Sequence, residues 1–144
     1  MSTISKEDVL NLREKTGAGL IDCKRALVDS DGDMEEAISI LRKKGVASAA
    51  KKAGRDAGEG IISQKISEDR NKGILVEVNC ETDFVAKNED FVSFSSEVAS
   101  ELLSDPSVNL EEKRTEQVAK IGENIRISRF EVLEPAGNGM VESY

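Results

Sequence analysis

The sequence has no histidine among its 144 residues. That excludes Ser–His and Cys–His nucleophile pairs and every histidine-based metal site. Tryptophan is also missing, and four phenylalanines and one tyrosine are the whole aromatic complement, so the core must be aliphatic, small-residue and helix-leaning. Positive charge is in deficit: 20 basic residues face 28 acidic ones, for a net charge of −8. Non-specific grip on a phosphate backbone needs clustered Lys and Arg, so direct nucleic-acid binding is not expected. No apolar run is long enough to span a bilayer, and Met1 to Asp8 lack the basic-then-apolar order of a signal peptide. The two cysteines, Cys23 and Cys80, fall in unrelated expected elements. Reduced thiols acting as small core residues account for them more simply than a disulfide. The expected compartment is the cytoplasm, or an organellar matrix.

The remaining chemical motifs also fail. Gly54 and the residues to Glu59 lack the closing Lys and Ser or Thr of a phosphate loop, and Gly17-Ala18-Gly19 lacks the third glycine of a dinucleotide fingerprint. Asp29, Asp31 and Asp33 invite a calcium loop. Setting Gly32 at that loop's glycine position, however, puts Ile38 where the bidentate Glu should stand. The expectation is a protein with no catalytic residue, no metal and no cofactor, and hence not an enzyme. The one basic stretch runs from Arg42 to Arg55, through Lys43, Lys44, Lys51 and Lys52. A solvated helical face is the plain account of it, and a contact for an acidic partner the alternative.

In chain order, Ser5 with Asp8 three residues on opens a first helix near the capping-box pattern, and Thr16-Gly17 closes it. A second helix spans about Leu20 to Val28, with Cys23, Ala26 and Leu27 inward. Asp33 caps a third, which carries Met34, Ala37, Ile38 and Leu41 and is expected to end near Gly45. This divides the chain into a three-helix domain over 1–45, a helical linker over 46–60 and an α+β core over 61–144. Within the core, Ile61–Ile66 and Gly73–Asn79 form an antiparallel hairpin. Phe91, Phe94, Val98 and Leu102 recur at helical spacing, so Glu89–Ser104 is an amphipathic helix. A charged helix follows over Leu110–Ile121. Ile125 and Ile127 then alternate as a strand, while Phe130 and Val132 fall on the other parity. That break means a bulge or a strand buried on both faces. The fold class is α+β: a small antiparallel sheet with helices on one side.

The stretch Gly73–Ala86 stands apart. Ile74, Leu75, Val76 and Val78 make a short β-branched run that stops at Asn79. Thr82 and Asp83 then offer side-chain oxygens to cap a helical turn, and Phe84 and Val85 follow on a tight strand-to-helix corner. An aromatic there is either tucked back or offered to a partner, and burial tendencies alone favour the first.

Thr82-Asp83-Phe84-Val85 after Val78-Asn79-Cys80-Glu81 resembles the signature of elongation factor Ts, the guanine nucleotide exchange factor for elongation factor Tu. Leu12 to Leu27 is similar to that family's N-terminal motif, and Ala119-Lys120-Ile121-Gly122-Glu123-Asn124-Ile125 to a third segment, all in family order. The resemblance implies an N-terminal module like ubiquitin-associated domains that docks on the GTPase domain of elongation factor Tu through Arg13, Leu20 and Ile21. The family often has Met at the last two positions, a volume-conserving difference; from burial tendencies alone, core packing serves these two residues as well. It further implies that Phe84 is a wedge entering an apolar pocket beside the bound nucleotide. Asp83 would sit near the magnesium site, with Thr82 and Val85 holding the corner. A docking adaptor without exchange activity is the alternative, and it would need Phe84 buried while the face from Gly17 to Ile21 stays open.

Longer family members carry a second half-core, which touches another domain of the partner. It starts at a point like Gly139-Met140-Val141, where a glycine opens a strand much as Gly60 does before Ile61 and Ile62. A chain that stops at Tyr144 is then expected either to complete its sheet against a second copy, as a homodimer, or to be part of a longer protein.

Overall fold

The computed structural model describes residues 3–144. Its elements run α1 (Lys6–Thr16), α2 (Leu20–Asp29), α3 (Met34–Lys52), β1 (Glu59–Ile66), β2 (Gly73–Cys80), α4 (Asp83–Ala86), α5 (Glu89–Ser104), α6 (Glu111–Ile121) and β3 (Arg126–Leu133). The class is α+β, as the sequence patterning predicts. The chain forms two compact units: residues up to Gly54 with Glu112–Gly122, and Arg55–Glu111 with Glu123–Tyr144.

The helical unit is bounded by local capping chemistry. The Ser5 hydroxyl accepts the Asp8 N–H, and the Asp8 carboxylate accepts the Ser5 N–H in return. Gly17 closes α1 in the left-handed conformation, φ 71°, with its N–H on the Arg13 carbonyl at 2.7 Å. The Asp33 carboxylate accepts the Glu36 N–H and opens α3. Leu12, Cys23, Ala26, Leu27 and Ala37 form the buried centre, with Ile4, Val9, Met34, Ile38 and Leu41 packed around it.

One expectation fails here: α3 does not stop at Gly45 but runs 19 residues, from Met34 to Lys52. A glycine ends a helix only by turning left-handed. Gly45 instead stays helical and buried, and a Cβ placed on it would stand 3.7 Å from the Ala119 Cβ of α6. That is an ordinary contact distance, so the site has room for a Cβ; the glycine simply stays helical, and Ala47, Ala49 and Ala50 carry the helix onward.

The second unit is a three-stranded antiparallel sheet in the order β1-β2-β3. Central β2 alternates strictly: Ile74, Val76, Val78 and Cys80 are buried while Leu75 is exposed. Helix α5 lies across β1 and β2 and buries Phe91, Phe94, Ser95, Val98, Ala99 and Leu102, one face at helical spacing. Each buried phenylalanine is worth about 1.5–3 kcal/mol, and these two lead an otherwise aliphatic core. The parity break in β3 is a bulge. Glu77 pairs with Arg129 but Val78 with Ile127, leaving Ser128 as the extra residue. The bulge puts Ile127, Phe130 and Val132 opposite Val78, Val76 and Ile74, so one parity serves the whole strand.

The tail departs from expectation. Residues 139–144 form no strand; the Val141 N–H instead donates to the Arg70 carbonyl at 2.9 Å. The Val141 side chain sits where a Cβ on Gly73 would come within 2.7 Å of it.

Two predictions follow from these contacts. Gly60 has φ 148°, and a Cβ there would lie 2.2 Å from the Val78 carbonyl oxygen on the paired strand. Gly60→Ala is expected to destabilise the chain by about 3 kcal/mol or more, from backbone strain and collision together; urea unfolding reads it, and an unchanged midpoint would refute it. The second concerns the thiols. Burial pushes the Cys80 thiol up to about 11, with the Glu123 carboxylate adding to the shift, and burial raises Cys23 as well. Both stay protonated at pH 8 and should resist a thiol-specific disulfide reagent until urea is added. A thiol that is protonated more firmly when folded contributes its full stability below about pH 9. That contribution is lost as pH climbs toward about 11, because the unfolded chain releases its proton first.

Candidate functional site

Strand β2 ends at buried Cys80, and α5, which starts at Glu89, buries Phe91 in its first turn. Between these anchors the chain turns a corner whose only regular element is the four-residue α4. Helix nucleation is unfavourable, so one turn does not hold itself; the corner is held by side chains. Thr82, extended at φ −125°, caps α4 by accepting the Val85 N–H on its hydroxyl at 3.3 Å. The Cys80 thiol donates to the Thr82 carbonyl at 3.2 Å. On the far side, the Asn88 carboxamide oxygen accepts the N–H groups of Asp90 and Phe91 and starts α5.

The remaining ties come from the segment before β3. The Glu123 carboxylate accepts the N–H of Glu81 at 3.1 Å, the N–H of Thr82 at 3.0 Å and the Thr82 hydroxyl at 2.8 Å. The Glu81 carboxylate accepts the Asn124 N–H at 2.8 Å and faces the Arg55 guanidinium at 3.5 Å. Buried Asn124 donates its side-chain amide to the Arg55 carbonyl at 2.9 Å.

On this braced corner Phe84 is 83% exposed. That reverses the expectation from burial tendencies alone, and the reason is geometric. With Thr82 as cap and Val85 half-buried, Phe84 occupies the outward position of the single turn. Asp83 beside it is exposed as well. The four residues Thr82, Asp83, Phe84 and Val85 thus form one short projection, apolar at its tip with a carboxylate alongside.

In the helical unit, the Gly17–Gly19 turn delivers Leu20 and Ile21 to the start of α2. They are 45% and 76% exposed, so core packing does not account for them. With Ile4, Val9 and Leu10, and with Ser5, Lys6 and Lys24 at its polar positions, they line a shallow, mostly apolar groove of about 420 Å³. Arg13 is exposed on α1 but does not line this groove. Sequence reasoning missed Ile4 and Leu10 as members of the groove. It also gave Glu81, Glu123 and Asn124 no role, although Glu123 and Asn124 stand inside a quoted motif. Among the described residues there is no His, Cys, Asp and Glu group able to hold a metal ion, and no helix long and apolar enough to cross a membrane.

Comparison with known proteins bears on this geometry. The family model described as elongation factor TS matches residues 81–144, from the corner to the last residue. The elongation factor Ts of Clostridium perfringens is 49% identical over 156 aligned positions, covering 98% of this chain and 51% of the relative. That of Hydrogenovibrio crunogenus is 49% identical, covering 94% and 50%. That of Photorhabdus laumondii is 52% identical over 141 positions, covering 93% and 50%. The chain spans about half the length of the curated relatives it matches.

Because Phe84 gives little to the fold, Phe84→Ala should change the unfolding free energy by no more than about 0.5 kcal/mol, the usual range for a surface substitution. Urea titration with circular dichroism measures it, and a loss above about 2 kcal/mol would mean that the ring packs inward in solution.

Proposed function

The chain belongs to the elongation factor Ts family, and on that premise we propose that it binds the GTPase elongation factor Tu and promotes release of GDP so that GTP can rebind. The observation that carries this reading is the exposure of Phe84 on a corner whose backbone is tied by several hydrogen bonds. A large ring held in water forgoes its burial energy within the chain, and that energy becomes available to a complex.

In the proposed mechanism Phe84 enters an apolar pocket of the GTPase beside its nucleotide. Asp83 comes close to the magnesium site and disturbs its coordination, and Thr82 and Val85 hold the wedge at its angle. Arg13, Leu20 and Ile21 dock on the GTPase domain. No bond is made or broken by this chain. It acts by linkage: a protein that binds the nucleotide-free GTPase more tightly than the GDP-bound form weakens GDP by the same factor that GDP weakens the protein. Docking without exchange would call for a buried Phe84; the open ring favours exchange.

Release of a fluorescent GDP analogue from elongation factor Tu tests this. The chain is expected to accelerate release, and Phe84→Ala to cut that acceleration by about 30-fold or more, the equivalent of ~2 kcal/mol for a central aromatic anchor. No acceleration by the unaltered chain at any concentration would reject the function. Equal acceleration by both proteins would keep the function and remove Phe84 from it.

A further inference from the structure

The corner that carries Phe84 is held from a distance of about forty positions in the sequence. Glu123 spends both carboxylate oxygens on it: Oε1 takes the Glu81 and Thr82 N–H groups, and Oε2 takes the Thr82 hydroxyl proton. That last bond also orients the cap. With its proton directed to Glu123, the Thr82 hydroxyl presents a lone pair to the Val85 N–H. The contact is reciprocated, since Glu81 takes the Asn124 N–H and Arg55 joins both sides through its guanidinium and its carbonyl. Two chain segments, the exit of β2 and the entry to β3, each cap the other's backbone with a carboxylate. Neither acid is among the buried core residues, and the corner lies directly beyond the clasp.

We propose that Glu123 is the positioning residue of the Phe84 corner: it fixes the direction in which the ring projects, with Glu81 and Asn124 forming the return half of the clasp. Glu123 acts through Thr82 and need not touch the partner. The functional part of this inference rests on the exchange reading above; the structural part does not.

The test pairs two measurements on Glu123→Ala, Glu123→Gln, Phe84→Ala and the Glu123→Ala/Phe84→Ala double variant. Amide hydrogen exchange of the free chain should show loss of protection at Glu81 and Thr82 in Glu123→Ala, with the protection of β2 and α5 kept. The exchange assay should show Glu123→Ala slower by on the order of tenfold to a hundredfold, the scale of a misplaced functional group. Glu123→Gln keeps an amide oxygen for the two backbone N–H groups and should recover most of the activity. In the Phe84→Ala background, Glu123→Ala should have no further effect, because both changes remove the same placed ring. Unchanged protection at Glu81 and Thr82, additive losses in the double variant, or a Glu123→Gln protein as slow as Glu123→Ala would each overturn the proposal. If Glu123→Ala does not fold, Glu123→Asp, one methylene too short to span both amides, takes its place in the comparison. Should the unaltered chain fail to accelerate GDP release, the exchange reading falls, and amide protection alone then decides for or against the clasp.

Discussion

A four-residue helix cannot hold an aromatic ring in water at a fixed angle, and the second unit is arranged around that constraint. The hydrogen bonds from the Glu123 carboxylate to the Glu81 and Thr82 amides supply what α4 lacks. They are charge-assisted, and such bonds are roughly twice as strong as neutral ones. They also come from the segment that leads into β3, so the corner is tied to a second chain segment next to the sheet instead of depending on its own loop. Cys80 on one side and Phe91 on the other close the frame, both fully buried.

The scarcity of aromatic residues sharpens the meaning of their placement. Of four phenylalanines, Phe91 and Phe94 fill the face of α5 against the sheet, and Phe130 lies on the bulged strand opposite Val76. The fourth is left almost wholly in water. A chain this poor in large side chains has most to gain from burying every ring, and an exposed Phe84 forgoes about 1.5–3 kcal/mol of burial that the fold leaves unused. The same holds on a smaller scale for Ile21 and Leu20 at the start of α2. In each unit the exposed apolar group sits immediately after a capping or glycine turn.

What could be read from the sequence was what neighbours in sequence decide. Ser5 with Asp8, Gly17, Asp33 with Glu36 and the spacing of Phe91, Phe94, Val98 and Leu102 depend on contacts within a turn or two, and each appears where its pattern places it. The bulge in β3 was legible because a one-residue insertion reverses side-chain parity, which the sequence displays directly. Gly45 was not legible. Whether a glycine stops a helix depends on whether it turns left-handed, and Gly45 stays helical and buried inside α3, with the alanines after it carrying the helix on. The direction of Phe84 was hidden for another reason: the residues that brace its corner are Glu123 and Asn124, and no local rule joins them to Thr82. The tail misled because a glycine before apolar residues suits a strand start equally well when the chain merely lies against Gly73.

Rigidity also bears on how an exchange factor would use its binding energy. A wedge on a mobile loop must be ordered when it binds, at a cost of roughly 1–2 kcal/mol for each backbone residue fixed. Across the four residues from Thr82 to Val85, that is comparable to or greater than what one buried aromatic anchor returns. Folding has already ordered this corner through Glu123, Thr82 and Cys80. Under the proposed exchange function, the energy of burying Phe84 in the partner is then left to offset displacement of the partner's own ligand contacts, which is the step that linkage requires. Under that proposal the clasp belongs to the functional site as much as the ring does. The chain covers about half the length of its relatives, and every residue that braces the corner lies between Arg55 and Asn124.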